Sequence, residues 1–138
     1  MMTGSCLCGG VKYSITGELN PIQLCHCQQC RKAQGTPFVS NIPLLRKQFE
    51  LLSGAELLKE YASSEGKGRV FCSHCGSPLY SHRHSDPQSI RLRAGTLDQD
   101  LPVRPVSHAY TGSAANWWKI NDQLPQHLEA ASPPLPKA

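Results

Sequence analysis

Cys25-His26-Cys27-Gln28-Gln29-Cys30 sets three cysteines within six residues, and two further pairs flank it: Cys6-Leu7-Cys8 and Cys72-Ser73-His74-Cys75. A turn with one or two intervening residues presents both sulfurs of a pair about 3.5–4 Å apart, which suits a tetrahedral ion. The same spacing strains the backbone that would have to close a disulfide. Seven cysteines is also an odd number, so disulfides cannot use them all. Residues 1–5 show no charged stretch leading into an apolar one, so no secretory leader is expected. No apolar run approaches the roughly 20 residues of a membrane span. A reducing, cytoplasmic setting is therefore expected, and there clustered cysteines mean metal or catalysis.

Two closed tetrahedral sites need four ligands each, one more than seven cysteines supply. Spacing allows two partitions. Cys27 and Cys30 with Cys72 and Cys75 would form a zinc ribbon and strand Cys6, Cys8 and Cys25. Alternatively, Cys6 and Cys8 join Cys72 and Cys75, leaving Cys25, Cys27 and Cys30 as a local three-ligand site. The second is preferred, because the middle group can hold one ion by itself and the outer pairs cannot. A closed site is structural, whereas three protein ligands leave the fourth position to water or substrate. Zinc is the expected ion, although all-thiolate ligation also fits ferrous iron. A histidine is the rival eighth ligand: His26 and His74 lie inside the clusters, and His82, His84 and His108 are within plausible reach. A short helix after Cys27 would set Cys27 and Cys30 on one face, with its free amides favouring thiolates.

The rest of the composition agrees with a small metal-stabilised domain. A chain of 138 residues makes one domain, and 39% apolar with 7% aromatic residues makes a lean core that needs a supplement. The net charge of +4 falls to about +1 once seven thiolates and two Zn²⁺ are counted, so no nucleic-acid footprint is expected. At 17% charged residues the chain is no disordered polyelectrolyte.

Hydrophobic alternation predicts a mainly β protein. Val11, Tyr13 and Ile15 share one face of a strand over 10–16. Further strands are expected at 37–42, 49–52, 79–81, 90–94 and 103–110. Residues 55–62 carry helical propensity but alternate like a strand that returns through 69–72, and strand is preferred. Short helices are expected at about 28–34 and 114–119. Residues 1–130 read as a single zinc-binding domain, and the proline-rich residues 131–138 as an extended tail.

Three longer stretches, 4–11, 25–32 and Phe71-Cys72-Ser73-His74-Cys75-Gly76-Ser77-Pro78-Leu79, resemble the glutathione-dependent formaldehyde-activating enzyme family. Gly95-Thr96-Leu97-Asp98, Pro105-Val106-Ser107-His108 and Trp117-Trp118-Lys119-Ile120-Asn121-Asp122 with Leu124-Pro125 fit too. The resemblance spans about residues 4–128. It implies a β-tent fold of stacked antiparallel sheets. It also implies a structural zinc on Cys6, Cys8, Cys72 and Cys75, and a catalytic zinc on Cys25, Cys27 and Cys30; of the two zinc ions expected per chain, the second is the one expected to be labile. The family's named reaction joins glutathione and formaldehyde, formally a carbon–sulfur lyase run in reverse.

The expected activity is thus that of a zinc-dependent carbon–sulfur lyase acting on a small thiol and an aldehyde, with no nucleic-acid or membrane partner. A homodimer is compatible with the sequence. Arg31, Lys32, Arg91 and Arg93 are candidates to receive an anionic thiol, and Trp117 and Trp118 to rim its pocket. Two other classes compete. The same domain type occurs in centromere protein V, which suggests a scaffold or interaction module with an added basic arm. Exposed low-pKa thiolates would also suit a redox or metal-buffer role.

Overall fold

The computed structural model describes residues 1–130 and is mainly β, as expected. A small antiparallel sheet joins β1 (Met2–Ser5), β2 (Lys12–Ile15) and β5 (Phe49–Ser53) in the order β1-β2-β5. A second sheet contains β3 (Ile22–Cys25), β4 (Val39–Leu45), β6 (Leu58–Ser64), β7 (Lys67–Cys72), β8 (Pro78–Arg83), β9 (Asp86–Arg93) and β10 (Pro105–Ala109). Its order is β10-β3-β4-β9-β8-β7-β6. The α-helix α1 (Gln28–Gln34) follows β3, where a helix was expected.

Tyr13 and Ile15 from the small sheet share one buried cluster with Ile42, Leu44, Leu79, Ile90 and Leu92 from the large one. Tyr13 stacks on Phe49 with ring centroids 4.9 Å apart, and its hydroxyl meets Thr96 Oγ1 at 2.6 Å. Burying an aromatic or branched aliphatic side chain stabilises by about 1.5–3 kcal/mol, so this cluster is the main apolar term.

Residues 55–62 resolve into a 3-10 turn at Ala55–Leu57 followed by β6, which pairs antiparallel with β7. The cross-strand hairpin thus prevails over helical propensity. Two expectations need correction. No helix forms at 114–119: a 3-10 turn at Thr111–Ser113 gives way to irregular backbone. Trp117 and Trp118 are exposed there, so no core face rewards a helix. The sheets are not wholly antiparallel, because β10 runs parallel to β3. Strands β1 and β3 are too short and too mixed in composition to carry a periodic signal, and the sequence reading missed both. The tail at 131–138 lies outside the described residues.

Gly54 closes the turn between β5 and the next 3-10 turn with φ 88°, directly against the backbone of Gly10 and Val11 just before β2. A Cβ there would lie 2.5 Å from the Gly10 carbonyl oxygen and 2.7 Å from Val11 Cα. Neither atom can yield without breaking the β2–β5 pairing. Gly54→Ala combines left-handed strain with a backbone clash and is expected to cost about 3 kcal/mol. Thermal unfolding should show a drop of roughly 10 °C; an unchanged melting temperature would contradict this packing.

Candidate metal centre and cleft

The seven cysteines form two clusters, in the preferred partition rather than the zinc-ribbon one. The sulfurs of Cys6, Cys8, Cys72 and Cys75 all lie within 4.8 Å of one another, and so do those of Cys25, Cys27 and Cys30. No histidine joins either cluster among the described residues.

The four-cysteine cluster links two distant parts of the chain. Cys6 and Cys8 occupy the turn from β1 to β2, and Cys72 and Cys75 the turn from β7 to β8. The Cys6–Cys8 sulfur distance is 3.5 Å and the Cys8–Cys72 distance 3.9 Å. Four sulfurs at 2.3 Å around a zinc ion would stand about 3.8 Å apart, so the donor set fits that ion. The Val11 amide donates to Cys6 Sγ at 3.2 Å, and the Leu7 amide to Ser77 Oγ at 2.8 Å. The side chain and backbone of Ser77 hold the Cys75 thiol down at about 5.

The three-cysteine cluster is built where β3 enters α1. Cys25 ends the strand, Cys27 caps the helix by accepting the Cys30 amide at 3.3 Å, and Cys30 is buried in the first turn. Cys25 and Cys30 sulfurs are 3.6 Å apart, again a tetrahedral spacing. Arg69 reaches Cys30 Sγ with a guanidinium N–H at 3.7 Å. Hydrogen bonds from Cys25 and Cys27, aided by Arg69, pull the Cys30 thiol far below its ordinary value. Hydrogen bonds with Cys27 and Cys30, together with burial, push Cys25 up.

A cleft of about 420 Å³ opens onto this cluster, lined by Cys25, Cys27, Cys30, Lys67, Arg83 and Arg91 among others. The cations follow from strand alternation. Ile90 and Leu92 of β9 face the core, so Arg91 and Arg93 face the other way. Register sets Lys67 opposite Arg83, Arg69 opposite Ser81, and Ser81 opposite Arg91. Lys67, Arg69, Arg83, Arg91 and Arg93 thus share one face of three neighbouring strands. Burial, with the like charges around them, lowers the pKa of Lys67 and Arg91 and brings Arg93 down to about 10. Their strongest attractive neighbours include the cysteines of the cluster. The carboxylates of Glu60 and Asp122 pair instead with histidines.

Of the proposed cations, only Arg91 lines the cleft. Arg93 is buried behind it, donating to Asn41 and Ser81, while Arg31 and Lys32 lie outside its lining. Trp118 borders a different hollow with Phe38 and Pro78. Sequence reasoning missed Lys67, Arg69 and Arg83, whose signal was their common parity on adjacent strands. It also missed Tyr110, which lines the cleft with φ 55°, the one non-glycine positive φ among the described residues.

Glu60, His82 and His84 form a third group of converging ligand atoms. Gly68 leaves room for the carboxylate, since a Cβ there would strike it. Arg46 donates to His82 Nδ1 at 3.2 Å, which keeps the His82 proton on Nε2, where it faces Glu60. His84 meets the other carboxylate oxygen at 3.1 Å. The three side chains thereby satisfy one another as a hydrogen-bonded clamp.

A family model described as glutathione-dependent formaldehyde-activating enzyme matches residues 1–113. The chain is 28% identical over 142 aligned positions to a putative glutathione-dependent formaldehyde-activating enzyme of Halomonas elongata, covering 96% of this chain and 89% of that one. It is 34% identical over 77 residues to an uncharacterized lyase of Schizosaccharomyces pombe, covering 56% of this chain and 54% of the relative. The chain thus matches about half the length of the yeast protein. A crystal structure of a Rhodobacter sphaeroides protein shares the fold, with a TM-score of 0.61 at 23% identity over 76% of this chain and 100% of that chain.

The two clusters should respond differently to mutation. Cys72→Ser opens a cluster that ties the first turn to the β7–β8 turn, where a bound structural zinc can contribute about 10 kcal/mol or more. Circular dichroism should show loss of the fold. Cys27→Ser touches a cluster closed within one local segment, and should remove one metal equivalent while leaving the melting profile largely intact. Collapse of the second variant with survival of the first would reverse these roles. Separately, the hydrogen bonds of His82 and His84 lower the Glu60 pKa, so the stabilisation is present above the ordinary carboxylate range and lost as pH falls through the folded value. Glu60→Gln should melt earlier than the parent at pH 7, with the gap closing in acid.

Proposed function

The chain belongs to the glutathione-dependent formaldehyde-activating enzyme family, and from that membership we propose a zinc-dependent carbon–sulfur lyase-type enzyme whose substrates are an anionic, glutathione-like thiol and an aldehyde or its adduct. One observation carries the reading. A cleft with three converging cysteines on one wall bears, on another, cations that have no carboxylate partner among the described residues. Its volume falls in the range of about 300–1,000 Å³ usual for small-molecule sites.

Two zinc ions per chain are proposed, one closed on Cys6, Cys8, Cys72 and Cys75 and one open on Cys25, Cys27 and Cys30. An ion held by three thiolates would supply a fourth position that takes a thiol as its thiolate, and the electron-rich ligand set favours that role over strong Lewis acidity. The surrounding residues divide the remaining work. Arg69 draws charge from the Cys30 sulfur through its hydrogen bond. Lys67, Arg83 and Arg91 lie where the carboxylates of a peptide-like thiol would rest, so binding would relieve their mutual repulsion. Burial strengthens such charge-assisted contacts relative to water. A cytoplasmic location fits the proposed substrates and the dense thiol content; no helix among the described residues is long and apolar enough to cross a membrane.

In protein loaded with cobalt at the open cluster, glutathione should strengthen the sulfur-to-metal charge-transfer band. Its binding should tighten as pH rises toward the thiol's own pKa, because the thiol proton must leave. Arg83→Met should weaken glutathione about tenfold, equal to about 1.4 kcal/mol, yet leave an uncharged thiol such as 2-mercaptoethanol unaffected. A band indifferent to thiols would defeat the enzyme reading, and equal weakening of both thiols would defeat the role given to the cations.

A further inference from the structure

His26 stands between two cysteines of the open cluster, is fully buried, and reaches away toward β10. Its Nε2 lies 2.8 Å from Nδ1 of His108, which is buried as well. His108 Nε2 in turn lies 2.9 and 3.1 Å from the two carboxylate oxygens of Asp122. Asp122 is held by the Leu124 amide at 3.0 Å, and its side chain is 44% exposed. The chain of contacts therefore runs from the cysteine turn to the surface. Asp122 also lies outside the residues that the family model matches.

The proton positions follow from chemistry. A carboxylate only accepts, so His108 carries its proton on Nε2. A neutral His108 then offers a lone pair at Nδ1, and His26 must donate from Nε2. His26 Nδ1 is left bare and meets no partner among the described residues. Each ring is thus restricted to one tautomer and one orientation. The backbone reinforces the same link: the His26 amide donates to the Ala109 carbonyl at 2.9 Å, and Cys25 pairs with Ala109 in the parallel ladder. On its other side β10 is held by segment 125–127, through His108 N–H to Pro125 O and His127 N–H to His108 O, each at 2.9 Å.

We propose that His108 and Asp122 are positioning residues for the three-cysteine centre, acting through His26 to hold the Cys25–Cys27 turn at the geometry in which its sulfurs meet Cys30. The proposal rests on the reading that these cysteines hold a metal. Removing the Asp122 acceptor leaves the His108 N–H to water at the surface, which costs the fold little. It frees His108 to move its proton to Nδ1, however, and His26 would then either present a second donor or shift its own proton to the bare Nδ1. The turn would lose its single arrangement. Outer partners of metal ligands typically carry about a 10–100-fold effect on metal affinity.

The test compares Asp122→Ala and Asp122→Asn in the full-length protein. Zinc uptake is followed against a chelator, cobalt uptake by its charge-transfer band, and the histidine tautomers by ¹⁵N imidazole spectra. In the parent, both histidines should show Nε2–H, and two metal equivalents should bind. Asp122→Ala should weaken the second equivalent about tenfold and mix the tautomers, without changing the first equivalent or the melting temperature. Asp122→Asn should recover most of the loss, since its side-chain carbonyl accepts the same proton. Equal affinity in parent and Asp122→Ala would overturn the positioning role while leaving the metal reading intact. Equal weakening of both equivalents with earlier melting would reduce the chain to a fold contact and overturn it too. A parent that takes up only one equivalent would refute the metal reading, and the proposal with it.

Discussion

The convergence of Cys6 and Cys8 with Cys72 and Cys75 joins the two sheets at a point where the apolar core alone is thin. The small sheet contributes few large side chains to that core, chiefly Tyr13 and Ile15. Its outer strand β1 carries Met2, Thr3, Gly4 and Ser5, none of which is a large fully buried side chain. A metal held there would cross-link the β1–β2 turn and stabilise what burial at about 25 cal/mol per Å² cannot. It would also set the β7–β8 turn, and through it the strands that carry the cations of the cleft. In this sense the four sulfurs that take no part in the proposed chemistry govern the shape of the part that does.

The large sheet then divides its two faces by alternation. One face is apolar and packs on the small sheet. The other holds Lys67, Arg69, Arg83, Arg91 and Arg93 around Asn41 and Ser81. Arg69 and Arg93 are buried and Lys67 and Arg91 half-buried, with no carboxylate partner among the described residues, and this is costly because desolvation disfavours the charged form. The cost is borne beside a cluster of sulfurs that readily carries negative charge, and beside a cleft open to an anionic ligand. Under the proposed function, such an arrangement would lower stability in the free protein and supply affinity when the ligand arrives, a common exchange at functional sites.

The parallel strand β10 has a role that an antiparallel hairpin could not fill as simply. Running beside β3 in the same direction, it brings His108 to the level of Leu24 and carries the chain past the cysteine turn before the segment at 122–127 folds back against it. A carboxylate late in the chain can then act on a turn near its beginning.

What the sequence determined by itself was local. Spacing within Cys25-x-Cys27-x-x-Cys30 and within the two outer pairs dictated the ligand inventory, because one or two intervening residues bring two sulfurs to metal distance in almost any fold. Alternation at Val11, Tyr13 and Ile15, and at Ile90 and Leu92, marked the core for the same reason: side-chain direction in a strand is set by parity. The helix after Cys27 was legible as well, but the one expected at Trp117 and Trp118 was not there, since propensity without a face to bury does not hold a helix. Only the tertiary structure decided which cysteine pairs meet, that Lys67, Arg69 and Arg83 stand beside Arg91, and that His108 serves His26 rather than a metal. Those facts depend on strand order and register, which are set by contacts between residues distant in the chain. No window of sequence contains them.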